Sequence, residues 1–138
     1  MASIMQLAES AVKKYLDASS IGATVYTGID DEDKELPCVV VRAGQAEEEI
    51  IGSNNFRLPV DVTIKAAAGS SDFETICTSV RDFLWLEAED LGTQLTQQES
   101  ELLVRGATAA RTIARDVSGD SWTETQQLTL ICAPWILA

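Results

Sequence analysis

The sequence predicts an α+β domain. A mixed, largely antiparallel sheet of about five strands carries two amphipathic helices, in the order αβββαββ. Two segments repeat apolar residues at the three-four spacing of a helix with one buried stripe. The other apolar segments are β-branched or strictly alternating, and turn residues rather than long helical crossovers join most of them. No repeat, low-complexity linker or second core divides the chain. Its 138 residues, 46% hydrophobic, therefore read as one domain over residues 1–138.

The first helix is carried by Ile4, Leu7, Ala8, Ala11, Val12, Tyr15 and Leu16. Ser3 with Gln6 three residues on forms a capping-box start, and Ser19, Ser20 and Gly22 supply the stop. Val25, Tyr26 and Thr27 read as a short strand before Gly28. The charged run Asp30, Asp31, Glu32, Asp33, Lys34, Glu35 has almost nothing to bury and reads as a solvated loop. Pro37 then opens a strand through Cys38, Val39, Val40 and Val41, covered on both faces or central in the sheet.

Residues 56–66 give the clearest strand: Phe56, Leu58, Val60, Val62 and Ile64 alternate with Arg57, Pro59, Asp61, Thr63 and Lys65. Pro59 lacks an N–H, which places its part of the strand at an edge or beside a bulge. Gly52, Ser53, Asn54 and Asn55 supply turn chemistry for a hairpin with Glu47, Glu48 and Glu49 on its outer portion. Ser71 with Glu74 reads as a second capping box, before Phe73, Ile76, Cys77, Val80, Phe83 and Leu84 at helical spacing. Leu91 and Leu95 continue through a Gln-rich stretch that reads as a short helix or a loop. A strand over residues 102–107, a weak one over 109–116 and a long closing strand over 122–133 complete the chain.

Composition excludes several chemistries. The chain has no histidine, and 22 acidic against 10 basic residues give a net charge of −12. His-based triads and zinc sites are ruled out, and a role built on gripping phosphates is opposed. Cys38, Cys77 and Cys132 are an odd number of widely separated thiols, which suits small core residues in a reducing compartment. There is no P-loop, no G-x-G-x-x-G, no S-x-x-K and no EF-hand register. The reading is of a protein with no cofactor, no metal and no catalytic residues. No segment approaches the ~20 apolar residues of a membrane span, and the first ten residues lack the basic and apolar regions of a signal peptide.

Charge and aromatic placement remain informative. Residues 30–49 hold eight acids, Asp30, Asp31, Glu32, Asp33, Glu35, Glu47, Glu48 and Glu49, against Lys34 and Arg42. That net −6 is half of the total. It reads either as a solubility face or as a negative surface past which nucleic acid moves without adhering. Trp85, Trp122, Trp135 and Ile136 are the candidate anchors of a subunit interface. The apolar C-terminus either folds back on its own core or docks on a neighbour.

The N-terminal helix with Ile4, Leu7, Val12, Tyr15 and Leu16 leads to Leu36-Pro37-Cys38-Val39-Val40-Val41 and the strand through Leu58, Val60, Val62 and Ile64. The helix over residues 73–86, Leu103-Val104-Arg105-Gly106, and Trp122-Thr123-Glu124-Thr125 running into Leu128-Thr129-Leu130 follow. This order resembles the tail-terminator, or tail-completion, proteins of long-tailed bacteriophages. The resemblance implies a noncatalytic virion protein, assembled in the host cytoplasm, that forms a hexameric ring at the head-proximal end of the tail. It also implies tail tube protein and head connector as partners, with DNA passing without tight binding. Another head-tail joining protein, an acidic inhibitor that mimics DNA before a basic nucleic-acid-handling protein, and a small hydrolase using paired carboxylates are the competing readings.

Overall fold

The computed structural model describes residues 3–19, 21–27, 36–48, 50, 52–84, 88–99, 101–108 and 110–134. Helix α1 (Ile4–Ala18) starts at the predicted capping box: the Ser3 hydroxyl accepts from the Gln6 N–H at 3.2 Å and the Gln6 side chain accepts from the Ser3 N–H at 2.9 Å. Leu7, Ala8, Ala11, Val12, Tyr15 and Leu16 are buried, as the stripe requires. Strand β1 (Thr24–Thr27) then runs parallel to β2 (Cys38–Ala43), which pairs antiparallel with the twelve-residue β4 (Phe56–Ala67). The two-residue β3 (Glu47–Glu48) pairs with the beginning of β4.

β4 is an interior strand, yet Pro59 lies where its pairing changes hands. The β2 register ends at Ala43↔Val60, the β3 register begins at Glu47↔Arg57, and Gly44 donates to the Pro59 carbonyl at 2.7 Å. The missing N–H thus falls in the break between two partners, where it costs least. A Cβ on Gly44 would stand 2.7 Å from Pro59 Cγ, so this crossing requires glycine.

Helix α2 (Phe73–Leu84) begins two residues after Ser71, so the predicted Ser71–Glu74 capping box is not the start of this helix. Ser70 instead accepts from the Asp72 N–H at 3.3 Å, while Glu74 pairs with Arg115. The Gln-rich stretch forms a third helix, α3 (Ala88–Gln98). Strands β5 (Leu102–Ala107), β6 (Arg111–Asp116) and β7 (Ser121–Pro134) follow. β7 is registered on β4 from Phe56↔Cys132 to Ala67↔Ser121, and its other edge is shared by β5 and β6.

The architecture of the described residues is therefore α+β with a mixed sheet of seven strands, ordered β1-β2-β4-β7-β5 with β3 on β4 and β6 on β7. Among the described residues, seven strands and three helices replace the predicted five and two: β3 is too short to carry a pattern, the weak strand over 109–116 is β6, and the Gln-rich stretch that reads as a short helix or a loop is α3. Leu58, Val60, Val62 and Ile64 on β4 and Leu128, Leu130 and Cys132 on β7 point into one core with α1, α2, Leu91 and Leu95 of α3. The other parity of β4 and β7 is mostly half-exposed.

Candidate functional site

Of the eight acidic candidates, Glu47 and Glu48 are described. Asp30, Asp31, Glu32, Asp33, Glu35 and Glu49 lie outside the described residues. Glu47 is exposed, opposite Arg57. Glu48 serves the fold locally, because its carboxylate accepts from the backbone N–H of Gly52 at 3.2 Å and of Asn54 at 2.9 Å. Both residues have positive φ, 85° and 60°, so the carboxylate holds a turn whose backbone would otherwise depend on water for those donors.

Among the aromatic candidates, Trp122 is half-buried and packs edge-on against Phe73, with ring centroids 5.7 Å apart. Trp85, Trp135 and Ile136 lie outside the described residues.

The densest constellation is one that sequence reading missed. Glu124 is 1% exposed and Gln126 0%, and both stand on the core-facing parity of β7, beside Leu128 and Leu130. The Glu124 carboxylate accepts from Arg115 at 2.9 Å, from Arg81 at 3.4 Å and from Gln126 Nε2 at 2.8 Å. Gln126 Nε2 also donates to the Cys77 carbonyl at 3.1 Å, which fixes the amide orientation because a reversed amide would face two acceptors with its oxygen. The Gln126 carbonyl oxygen has no partner among the described residues.

Arg115 also pairs with Glu74 and lies 5.3 Å from the Phe73 ring centroid, while Arg81 reaches Thr112 at 3.4 Å. Together these contacts fasten α2 and β6 to one end of β7. Burial, reinforced by the nearby Glu124 charge and hydrogen bond, pushes the Cys77 thiol up to about 12. Burial alone does the same to Cys132. A thiol in that range is protonated at neutral pH and is a poor nucleophile. The cluster is chemically a clamp: its carboxylate is saturated by donors and its thiol is inactive.

A second polar tie joins α3 to α1. Glu99 accepts from Ser10 at 3.0 Å and Lys14 at 3.1 Å, fastening the end of α3 to α1. Burial would raise its carboxyl, but the Lys14 and Ser10 contacts outweigh it and hold the group below the ordinary range. Glu9 on the same helix is raised by burial, partly offset by the Ala43 backbone N–H and the Arg42 charge.

An open depression of about 360 Å³ at the starts of β1 and β2 is lined by Gly22, Ala23, Thr24, Leu36 and Pro37, with no titratable group. Among the described residues no three His, Cys, Asp or Glu side chains converge on a metal-binding position. No described helix is long and apolar enough to cross a membrane. No protein-family model matches this chain, and no curated protein is significantly similar to it.

Proposed function

We propose that this chain is a noncatalytic virion structural protein, a tail terminator whose copies form a ring that caps the tail tube and meets the head connector. The observation that carries the reading is the arrangement of elements. A capped N-terminal helix, a Pro-led β2, a long alternating β4, a second amphipathic helix and a long closing β7 occur in the order that resembles the tail terminators. The charge distribution supports it. With a net −6 in residues 30–49, six copies would present a strongly negative collar, and double-stranded DNA, itself densely negative, would pass such a surface without salt-bridge trapping.

The test is negative-stain imaging of the purified protein with and without tail tubes of the cognate particle. The expected result is a six-fold ring at one end of the tube. Tubes that stay bare at saturating protein overturn the reading. The acidic face is tested separately by Glu47→Lys with Glu49→Lys, which spares the turn-holding Glu48. Rings should still form while infectivity falls, and unchanged infectivity removes these two residues from the DNA path.

A further inference from the structure

We propose that β6 is a strap latched by charge: it lifts from β7 while the rest of the fold stays intact, and its release bares the edge of β7 over residues 123–127. The strap concerns a single copy of the chain and stands apart from the ring reading. Its physical basis is the contrast between two strands that share one side of β7 and are fastened differently. β5 is held by apolar burial and by a helix. Leu102, Val104 and Ala107 are buried, and the Thr96 hydroxyl of α3 accepts from the Val104 N–H at 2.9 Å. Gly92 lets that helix come close, since a Cβ there would lie 3.3 Å from the Val104 carbonyl.

β6 is held by other means. All six of its residues are exposed, and Ile113 within it and Val117 just after it are 46% and 45% exposed. The strand therefore takes little apolar surface out of water, which is the dominant favourable contribution elsewhere in a fold. Its ladder with β7 is also interrupted, because the register shifts between Thr112 and Ala114. A segment with few buried apolar contacts and solvent-exposed backbone hydrogen bonds opens at a far lower free energy than the core strands.

Among the described residues, what secures β6 beyond its ladder is a small set of polar side chains. Arg115 alone reaches three groups outside the strand: the Glu124 carboxylate at 2.9 Å, the Glu74 carboxylate, and the Phe73 ring, 5.3 Å from its centroid. Thr112 adds a 3.4 Å contact from Arg81. Arg115 is 36% exposed and Glu74 63%, so salt reaches the outer half of this latch, whereas Glu124, 1% exposed, holds the inner half. The two ends stay pinned when the middle lifts. Before the strand, Ala110 is buried and donates its N–H to the Leu84 carbonyl at 3.2 Å, and Thr108 exchanges two hydrogen bonds with Thr129, both at 2.9 Å. After it, the Asp120 carbonyl accepts from the Ala68 N–H at 3.1 Å. Arg115 is thus the positioning residue of a strap anchored at both ends.

Native-state amide exchange of the whole chain, followed by NMR in urea below the unfolding transition, tests this. The β6 N–H groups that donate into the β7 ladder should exchange at rates independent of urea, while β4 amides should show the steep urea dependence of global unfolding. Arg115→Met should speed the β6 amides roughly 10- to 100-fold, the worth of a hydrogen bond to a charged group. Arg115→Lys should fall between, because an ammonium keeps the charge and loses the fork that spans two carboxylates. In the unmutated chain, added sodium chloride should speed the same amides about two- to fivefold by screening the Glu74 pair, a readout that holds even where a variant does not fold. β6 amides that exchange only through global unfolding overturn the strap. Local exchange that is indifferent to both Arg115→Met and salt overturns the latch.

Discussion

The buried Glu124 can be challenged in a way that separates its charge from its shape. Its two guanidinium partners are unequal to it in burial: the Arg81 and Arg115 side chains are 37% and 36% exposed, while Glu124 is 1% exposed. Removing the arginines strands an ion that has no route to water, whereas removing the carboxylate leaves two cations that can turn outward. In the double variant Arg81→Met, Arg115→Met, the uncompensated carboxylate should cost ~3–5 kcal/mol. For a chain of this length, at about 2 cal/mol/K of unfolding entropy per residue, that lowers Tm by about 10–17 °C. Glu124→Gln keeps the shape and loses the charge-assisted bonds, a loss of ~1–2 kcal/mol.

The decisive comparison is the triple variant Glu124→Leu, Arg81→Met, Arg115→Met. Its Gln126 retains the Cys77 carbonyl as acceptor, and apolar replacement of a buried ion cluster is often neutral or stabilising. The triple should regain most of what the double loses. Urea unfolding followed by far-UV circular dichroism measures all three. A double variant that costs under ~1 kcal/mol, or a triple no more stable than the double, would refute the argument that burial makes this clamp obligatory.

Three further outcomes follow from local geometry. Gly44→Ala should destabilise by ~1–3 kcal/mol, because its Cβ meets the rigid Pro59 ring and one of the two crossing strands must shift; thermal melting checks it. Glu48→Ala should cost ~1 kcal/mol by leaving the Gly52 and Asn54 N–H groups without their carboxylate, and amide exchange in that turn should accelerate while exchange in α1 does not. Glu99 has a depressed carboxyl, so its contribution is present above the unfolded value of about 4.3 and fades as pH falls through the folded one. Glu9, raised by burial, contributes in the opposite sense: its relative contribution is full below that unfolded value and is lost as pH rises through the folded one. Glu99→Gln should therefore flatten the acid limb of the stability curve, measured by urea midpoints between pH 6 and pH 3 (about one unit below the ordinary carboxyl range).

How much the sequence disclosed depended on whether burial left a period. α1 and β4 were legible because every second or fourth position is apolar and the structure buries those positions. α3 was obscured by Gly92, whose lack of a side chain serves the close approach to β5 rather than the helix itself. β6 has no buried residue, so its strand state comes from the β7 ladder and not from any pattern of its own. The clamp had one readable sign: Glu124 and Gln126 share parity with Leu128, Leu130 and Cys132, and an acid on an apolar parity demands partners. Those partners come from α2 and β6, 43 and 9 residues away in the chain, and only the tertiary pairing reveals them.

The same pairing changes what a net charge of −12 means. A uniform coat of that size would hold copies of the chain apart through self-repulsion. The arginines are not distributed uniformly: Arg42, Arg57, Arg105, Arg111 and Arg115 belong to strands, and Arg81 reaches Glu124 on β7 from α2. Half of the acidic excess falls in residues 30–49. Arg42 lies inside that segment and Asp61, Asp116 and Glu124 share the strands with the arginines, so bases and acids interleave along the sheet while the acidic excess is local in sequence. Repulsion between whole copies acts over distances that physiological salt screens beyond about 8 Å, while pairs formed in contact are screened much less. The ring proposed above therefore asks for opposite charges in direct contact at each seam, where salt screens them least.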